Sequence, residues 1–134
     1  MPAITVVDDE NISIWYYPES KILHHQVHRF FYGKPWRDAF NKGAEAFIKY
    51  GADKYLSDDR QIATLTKEDQ EWGEKDWSPQ LVKAGWKYWA IVMPEKIIGQ
   101  VTMKKAAANQ STGGVTTRIF SSPKEAKEWL EQCS

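Results

Sequence analysis

The sequence predicts a single α/β domain on a mixed, mostly parallel five-stranded sheet with an N-terminal antiparallel hairpin, in the order β-β-α-β-α-β-α-β-α. Two stretches rich in β-branched and aromatic residues, 12–17 and 22–31, flank Pro18-Glu19-Ser20-Lys21, whose residue types make turns. After them, short apolar runs alternate with segments of helical spacing, and strands separated by helices join through right-handed crossovers as parallel neighbours. The length of 134 residues suits one domain, able to bury a core without disulfides or metals. No repeat, low-complexity tract or linker divides it, and its core is expected over about 11–133.

The hairpin's second arm carries His24, His25 and His28. On a strand His24 and His28 share a face about 13 Å apart, at roughly 3.3 Å per residue, while His25 points the other way. One metal ion cannot be held by that set, so solvent-facing or hydrogen-bonded histidines are expected. Pro35 then opens a helix in which Trp36, Phe40, Gly43, Ala44 and Phe47 recur at helical spacing, and Gly51 stops it. The third strand spans 53–58 and a helix starts near Lys67. Ser78-Pro79 should interrupt that helix, giving two short helices or one with a sharp break, because the residue before proline disfavours helical geometry while proline itself suits a first turn.

Past Gly85 the nearly unbroken apolar run 88–93 reads as a strand covered on both faces, and so as a central one. A helix is expected over 95–108, a loop over 109–114 and a last strand over 115–120. Ser122-Pro123-Lys124-Glu125 is a capping box with proline in the first turn. It opens a helix whose apolar face is Ala126, Trp129, Leu130 and Cys133.

Eighteen basic residues balance 18 acidic ones, so no net field draws the chain to nucleic acid or to an anionic membrane. The lone Cys133 has no partner for an internal disulfide or a cysteine metal site, which fits a reducing cytoplasm. The N-terminus has no basic leader, and no apolar run approaches the roughly 20 residues of a membrane span. Seven tryptophans are many for this length, and Trp72, Trp77, Trp86 and Trp89 fall in one segment, either as core packing or as an aromatic-lined cleft.

The candidate site is the stretch 54–77, where a buried strand gives way to a polar loop and a helix. Asp58, Asp59 and Arg60 lie at the strand's carboxyl end, the place in open α/β sheets where ligands and partners bind. With Thr64, Thr66, Trp72 and Trp77 they form the candidate cleft. Thr66 is placed to cap the helix, and Arg60 is expected to pair with Asp59 at the rim. Asp58, Asp59, Glu68 and Asp69 match no cation-binding loop, so no metal or other cofactor is expected. Nor is there a nucleophile elbow, a phosphate-binding loop, a dinucleotide fingerprint or a cysteine with a histidine partner, and the domain is expected to be non-enzymatic.

The element order, with L-S-D-D-R after the third strand, E-D-Q-E-W and D-W-S-P on the next helices and A-G-W-K-Y-W-A-I-V-M-P through the fourth strand, resembles the bacterial SpoIIAA-like group of the STAS/SEC14-like superfamily. The likeness runs from Asn11 onward. It implies a cytoplasmic signalling domain. Its anti-sigma-factor-antagonist relatives bind a partner kinase and are switched by phosphorylation at the start of the helix after the third strand. Their Asp-Ser-Ser or Asp-Ser-Thr is absent here; the nearest hydroxyls are Thr64 and Thr66, and phosphorylation of either is not expected. SEC14-like relatives imply instead an apolar cavity for a lipid or small hydrophobic ligand. The implied partners are thus a kinase or anti-sigma-like protein, a small apolar ligand, or a second copy in a homodimer.

Overall fold

The computed structural model describes residues 3–61, 65–92 and 114–133. In chain order its elements are β1 (Ile4–Asp8), β2 (Ile12–Tyr17), β3 (Ile22–Val27), α1 (Lys34–Tyr50), β4 (Lys54–Asp58) and α2 (Lys67–Trp72). A π-helical turn (Gly73–Trp77), α3 (Ser78–Lys83), β5 (Tyr88–Val92), β6 (Thr116–Phe120) and α4 (Pro123–Gln132) follow. The strands form one six-stranded sheet in the order β1-β2-β3-β4-β5-β6. β2 runs antiparallel to both β1 and β3, and β3 to β6 are parallel.

The sheet therefore has one strand more than the five expected. Ile4–Asp8 pairs with β2 across a bulge between Thr5 and Val7, and Ile4, Val6 and Val7 pack on the core. The acidic run after it is a turn. The Asp9 carboxylate accepts from the Asn11 and Ile12 amides at 2.8 and 3.0 Å, an Asx turn that reverses the chain. The second expected strand is also shorter, ending at Val27. β5 is flanked by β4 and β6, interior but one place from the edge of the described sheet.

α1 follows its sequence signals. Gly33 before it and Gly51 after it have φ of 72° and 70°, and Trp36, Phe40, Gly43, Ala44 and Phe47 are all buried. At Gly43 α1 packs directly over Ile14 and Leu23, where an added Cβ would lie at contact distances of 3.4 and 3.6 Å. α1, the π turn and α3 share one face of the sheet, and α4 covers the other over Ile22, Leu56, Ala90 and Val92.

The two short helices expected about Ser78-Pro79 are present: α2 ends at Trp72, and α3 begins at Ser78 with proline in its first turn. The chain does not leave helical geometry between them, since Gly73 and Ser78 are right-handed helical and the π turn joins the two. The helix expected over 95–108 and most of the loop expected over 109–114 lie outside the described residues.

Candidate functional site

Strand alternation sorts the residues at the end of β4. Leu56 belongs to the cluster under α4, whereas Tyr55 belongs to the core under α1 and α3. Ser57 and Asp59 follow Tyr55, and Asp58 follows Leu56. The neighbouring β3 carries Leu23, His25 and Val27 on the same side as Tyr55, so His25 enters the core with its apolar neighbours. On that side a chain of hydrogen bonds forms: Tyr55 hydroxyl to His25 Nδ1 at 2.7 Å, and His25 Nε2 to Asp59 Oδ1 at 2.7 Å. Tyr55, His25 and Asp59 are each buried, the last 3 % exposed. Burial first, and the charge of Asp59 second, push the Tyr55 phenol well above its ordinary range. The phenol therefore keeps its proton, and the Asp59 carboxylate accepts from Nε2–H; which way the bond between the Tyr55 hydroxyl and Nδ1 runs follows the tautomer of the ring.

Beside this relay lies a cavity of about 90 Å³. Trp36 and Phe40 of α1, Trp72 and Trp77 of the following helix, and Trp89 of β5 supply aromatic wall; His25, Ser57 and Asp59 supply polar floor. The indoles are held in place. Trp77 Nε1 donates to the Phe40 carbonyl at 2.8 Å, and Trp89 Nε1 donates to the Ser57 hydroxyl at 2.8 Å. Trp36 stacks on Phe40 at 4.4 Å, and Phe40 meets Trp77 edge-on at 5.6 Å. Such pairs fix ring orientation beyond what area burial supplies. Trp86 is core, its Nε1 donating to the Tyr88 carbonyl at 2.9 Å. Core packing and an aromatic-lined cleft are thus both present, with Trp77 and Trp89 serving each.

The cavity's outer edge is set by the start of α2. Thr66 caps that helix as expected, its hydroxyl accepting from the Asp69 amide at 3.1 Å. Asp69 is buried and binds across to α1, accepting from the Gly33 amide at 2.9 Å and from Arg37 Nε at 3.3 Å. The Arg37 guanidinium in turn lies 5.9 Å from the Trp72 ring centroid. A groove outside this contact is lined by Tyr32, Arg37, Thr66, Glu68 and Trp72 among others.

Of the candidate cleft, the structure brings Asp59, Trp72 and Trp77 to the cavity and Thr66 to the adjoining groove. Thr64 lies outside the described residues. Asp58 and Arg60 face the other way, and the expected Asp59–Arg60 pair is corrected: Arg60 Nε and Nη2 hold the two Asp58 oxygens at 2.9 and 3.0 Å. Alternation put Asp59 inside, where His25 is its partner. His25, Trp36, Phe40 and Ser57 were not expected at the site, whereas Trp89 had been offered as core or cleft and Asp69 belonged to the acidic group of the candidate stretch. Inward registers gave a signal for two of them, since His25 alternates with Leu23 and Val27, and Ser57 with Tyr55.

On the α4 side His24 Nδ1 lies 2.8 Å from the Tyr17 hydroxyl, and its buried Nε2 has no hydrogen-bond partner among the described residues. Burial first, then the neighbouring His25 and Lys127, lower its pKa to about 4, against a smaller opposing effect of Asp58. His28 Nε2 lies 2.8 Å from the Ser13 hydroxyl. Among the described residues no group of three or more His, Cys, Asp or Glu side chains converges as metal ligands. No described helix is long and apolar enough to cross a membrane.

Compared with models of protein families, with curated proteins and with solved structures, the chain matches none.

Proposed function

We propose that the chain is a binding domain for a small, largely apolar molecule carrying a polar group, held at the carboxyl end of β4. The observation that carries this is the cavity itself, walled by Trp36, Phe40, Trp72, Trp77 and Trp89, with His25, Ser57 and Asp59 as its polar floor and the polar side chains of Asp69, Gln70 and Glu74 also in the lining. Ligand sites have this composition, apolar lining with a few placed polar groups. Both ring nitrogens of His25 are engaged, so the relay fixes Asp59 in place and leaves no imidazole nitrogen to activate a nucleophile. Membership of the SpoIIAA-like group belongs to the same proposal, supported by the helix-covered sheet with its antiparallel start; the cavity favours the ligand-holding use of that fold.

The test is a screen of small fragments by nitrogen–proton NMR, reading the indole signals. Binders are expected to move Trp72, Trp77 and Trp89 and to leave Trp15 on β2 and Trp129 on α4 unmoved. The reading fails if no fragment binds, or if binders move other signals only.

A regulatory role with a kinase or anti-sigma-like protein partner is favoured by a separate observation. Phe30 and Tyr32 are 46 % and 62 % exposed and stack at 5.7 Å, with Tyr32 also lining the groove at the α2 start. Exposed aromatics of this kind anchor protein interfaces. Replacing both with alanine should abolish binding of such a partner and leave fragment binding unchanged.

A further inference from the structure

Among the described residues that line the cavity are Asp59, Asp69 and Glu74, and none of those described is a lysine or arginine. Arg37 offsets Asp69 from outside the lining, through the contact at 3.3 Å. Asp59 is the innermost acid, its side chain 4 % exposed. Its Oδ1 is taken by His25, and its Oδ2 receives no hydrogen bond among the described residues. That oxygen is not among the fully buried atoms without a partner, and Asp59 lines the cavity, so a donor brought by a ligand reaches it and offsets the carboxylate's partial desolvation. The surrounding rings present electron-rich faces, which attract cations and repel anions.

We infer that the molecule held here is a small protonated amine, its ammonium group donating to Asp59 and its hydrocarbon part lying against the indoles of Trp72, Trp77 and Trp89. This rests on the small-ligand reading above and narrows it. An anion would meet carboxylates with no cationic side chain in the lining. A neutral hydrocarbon would leave the Asp59 oxygen unpaired. An ammonium group satisfies that oxygen with a charge-assisted hydrogen bond and gains from the aromatic walls as well. Size limits the molecule further. An apolar cavity of about 150 Å³ holds benzene, so about 90 Å³ takes roughly four non-hydrogen atoms, the rest of a longer amine extending toward Leu65 and Glu74 at the lining.

The probes are isopropylammonium and isopropanol, matched in shape and differing in charge. Each is titrated at neutral pH and low salt while the indole signals of Trp72, Trp77 and Trp89 are followed. The amine is expected to bind at least about tenfold more tightly, the effect of a hydrogen bond to a charged group. Asp59→Asn should erase that preference. The comparison of the two probes on the unaltered protein decides the inference even where the Asp59 variant folds poorly. Equal or tighter binding of the alcohol would overturn the amine assignment while leaving the cavity a ligand site. If neither probe moves these signals, both readings fall.

Discussion

Removing the Asp59 carboxylate is expected to destabilise the protein by about 3 kcal/mol, far more than an exposed ion pair contributes. Asp59 is buried, and its 2.7 Å bond to His25 is charge-assisted. Such a bond contributes about 1.5–3 kcal/mol, and losing it leaves the imidazole N–H buried without an acceptor. The adjoining cavity of about 90 Å³ has room for water near the vacated position, which places the cost at the lower end of the roughly 3–5 kcal/mol seen when buried pairs are broken. His25→Ala should cost at least as much, because it also loses the Tyr55 bond and the edge-on contact with Phe40 at 5.0 Å. The two losses share one interaction, so the double variant should be more stable than their sum predicts by about 2 kcal/mol. Urea unfolding followed by tryptophan fluorescence measures all four proteins. At a slope of about 1.5 kcal/mol/M, Asp59→Ala should lower the midpoint by about 2 M. A coupling below about 0.5 kcal/mol would show that the pair is not a unit and would remove the reason for its position beside the cavity.

His24 is held neutral in the fold with a pKa near 4, against an ordinary 6.5, so its stabilising contribution is complete above pH 6.5 and is lost as pH falls toward 4. That loss should reach about 3 kcal/mol and be absent from His24→Phe; equal acid sensitivity of the two proteins in urea would contradict it. Thr66→Ala should cost about 1 kcal/mol through loss of the helix cap, measured by thermal melting. Peptide mapping of Thr66 from native-host protein should show no phosphate, since its hydroxyl is committed to the Asp69 amide and Glu68 and Asp69 adjoin it. Gly73→Ala should stabilise by about 0.5–1 kcal/mol: Gly73 has helical φ and ψ of −59° and −42°, and an added Cβ meets nothing within 4 Å. A lower melting temperature for that variant would contradict the open space described there.

The parts of this fold legible in the sequence are those fixed by local pattern. The apolar stripe of α1, its glycine boundaries, the caps at Thr66 and Ser122 and the parallel relation of β3 to β6 all follow from spacing and residue type. β1 was missed because Asp8-Asp9-Glu10 looked like the end of a short apolar stretch. The same acids form a hairpin turn once β2 lies alongside. At Ser78-Pro79 the boundary was legible, since proline suits a first turn and α3 begins there; the π turn that joins α2 to α3 was not. At the site, the location was legible and the partners were not. Which of Asp58 and Asp59 turns inward depends on strand phase, and Arg60 sits near both in sequence. His25 and Trp89 reach the cavity from strands on either side of β4, and no pattern within 54–77 contains that information.

The central claim is that the aromatic cavity beside β4 holds a small molecule, and native mass spectrometry of freshly purified protein tests it most directly. Gly73 lines the cavity and offers open space for a side chain, so Gly73→Phe serves as the filled counterpart. Gently ionised wild-type protein, equilibrated with a small-molecule extract of its host, is expected to carry one added small mass that denaturation releases and that Gly73→Phe lacks. Bare wild-type protein under those conditions, or an adduct retained in full by the folded Gly73→Phe variant, would contradict the account.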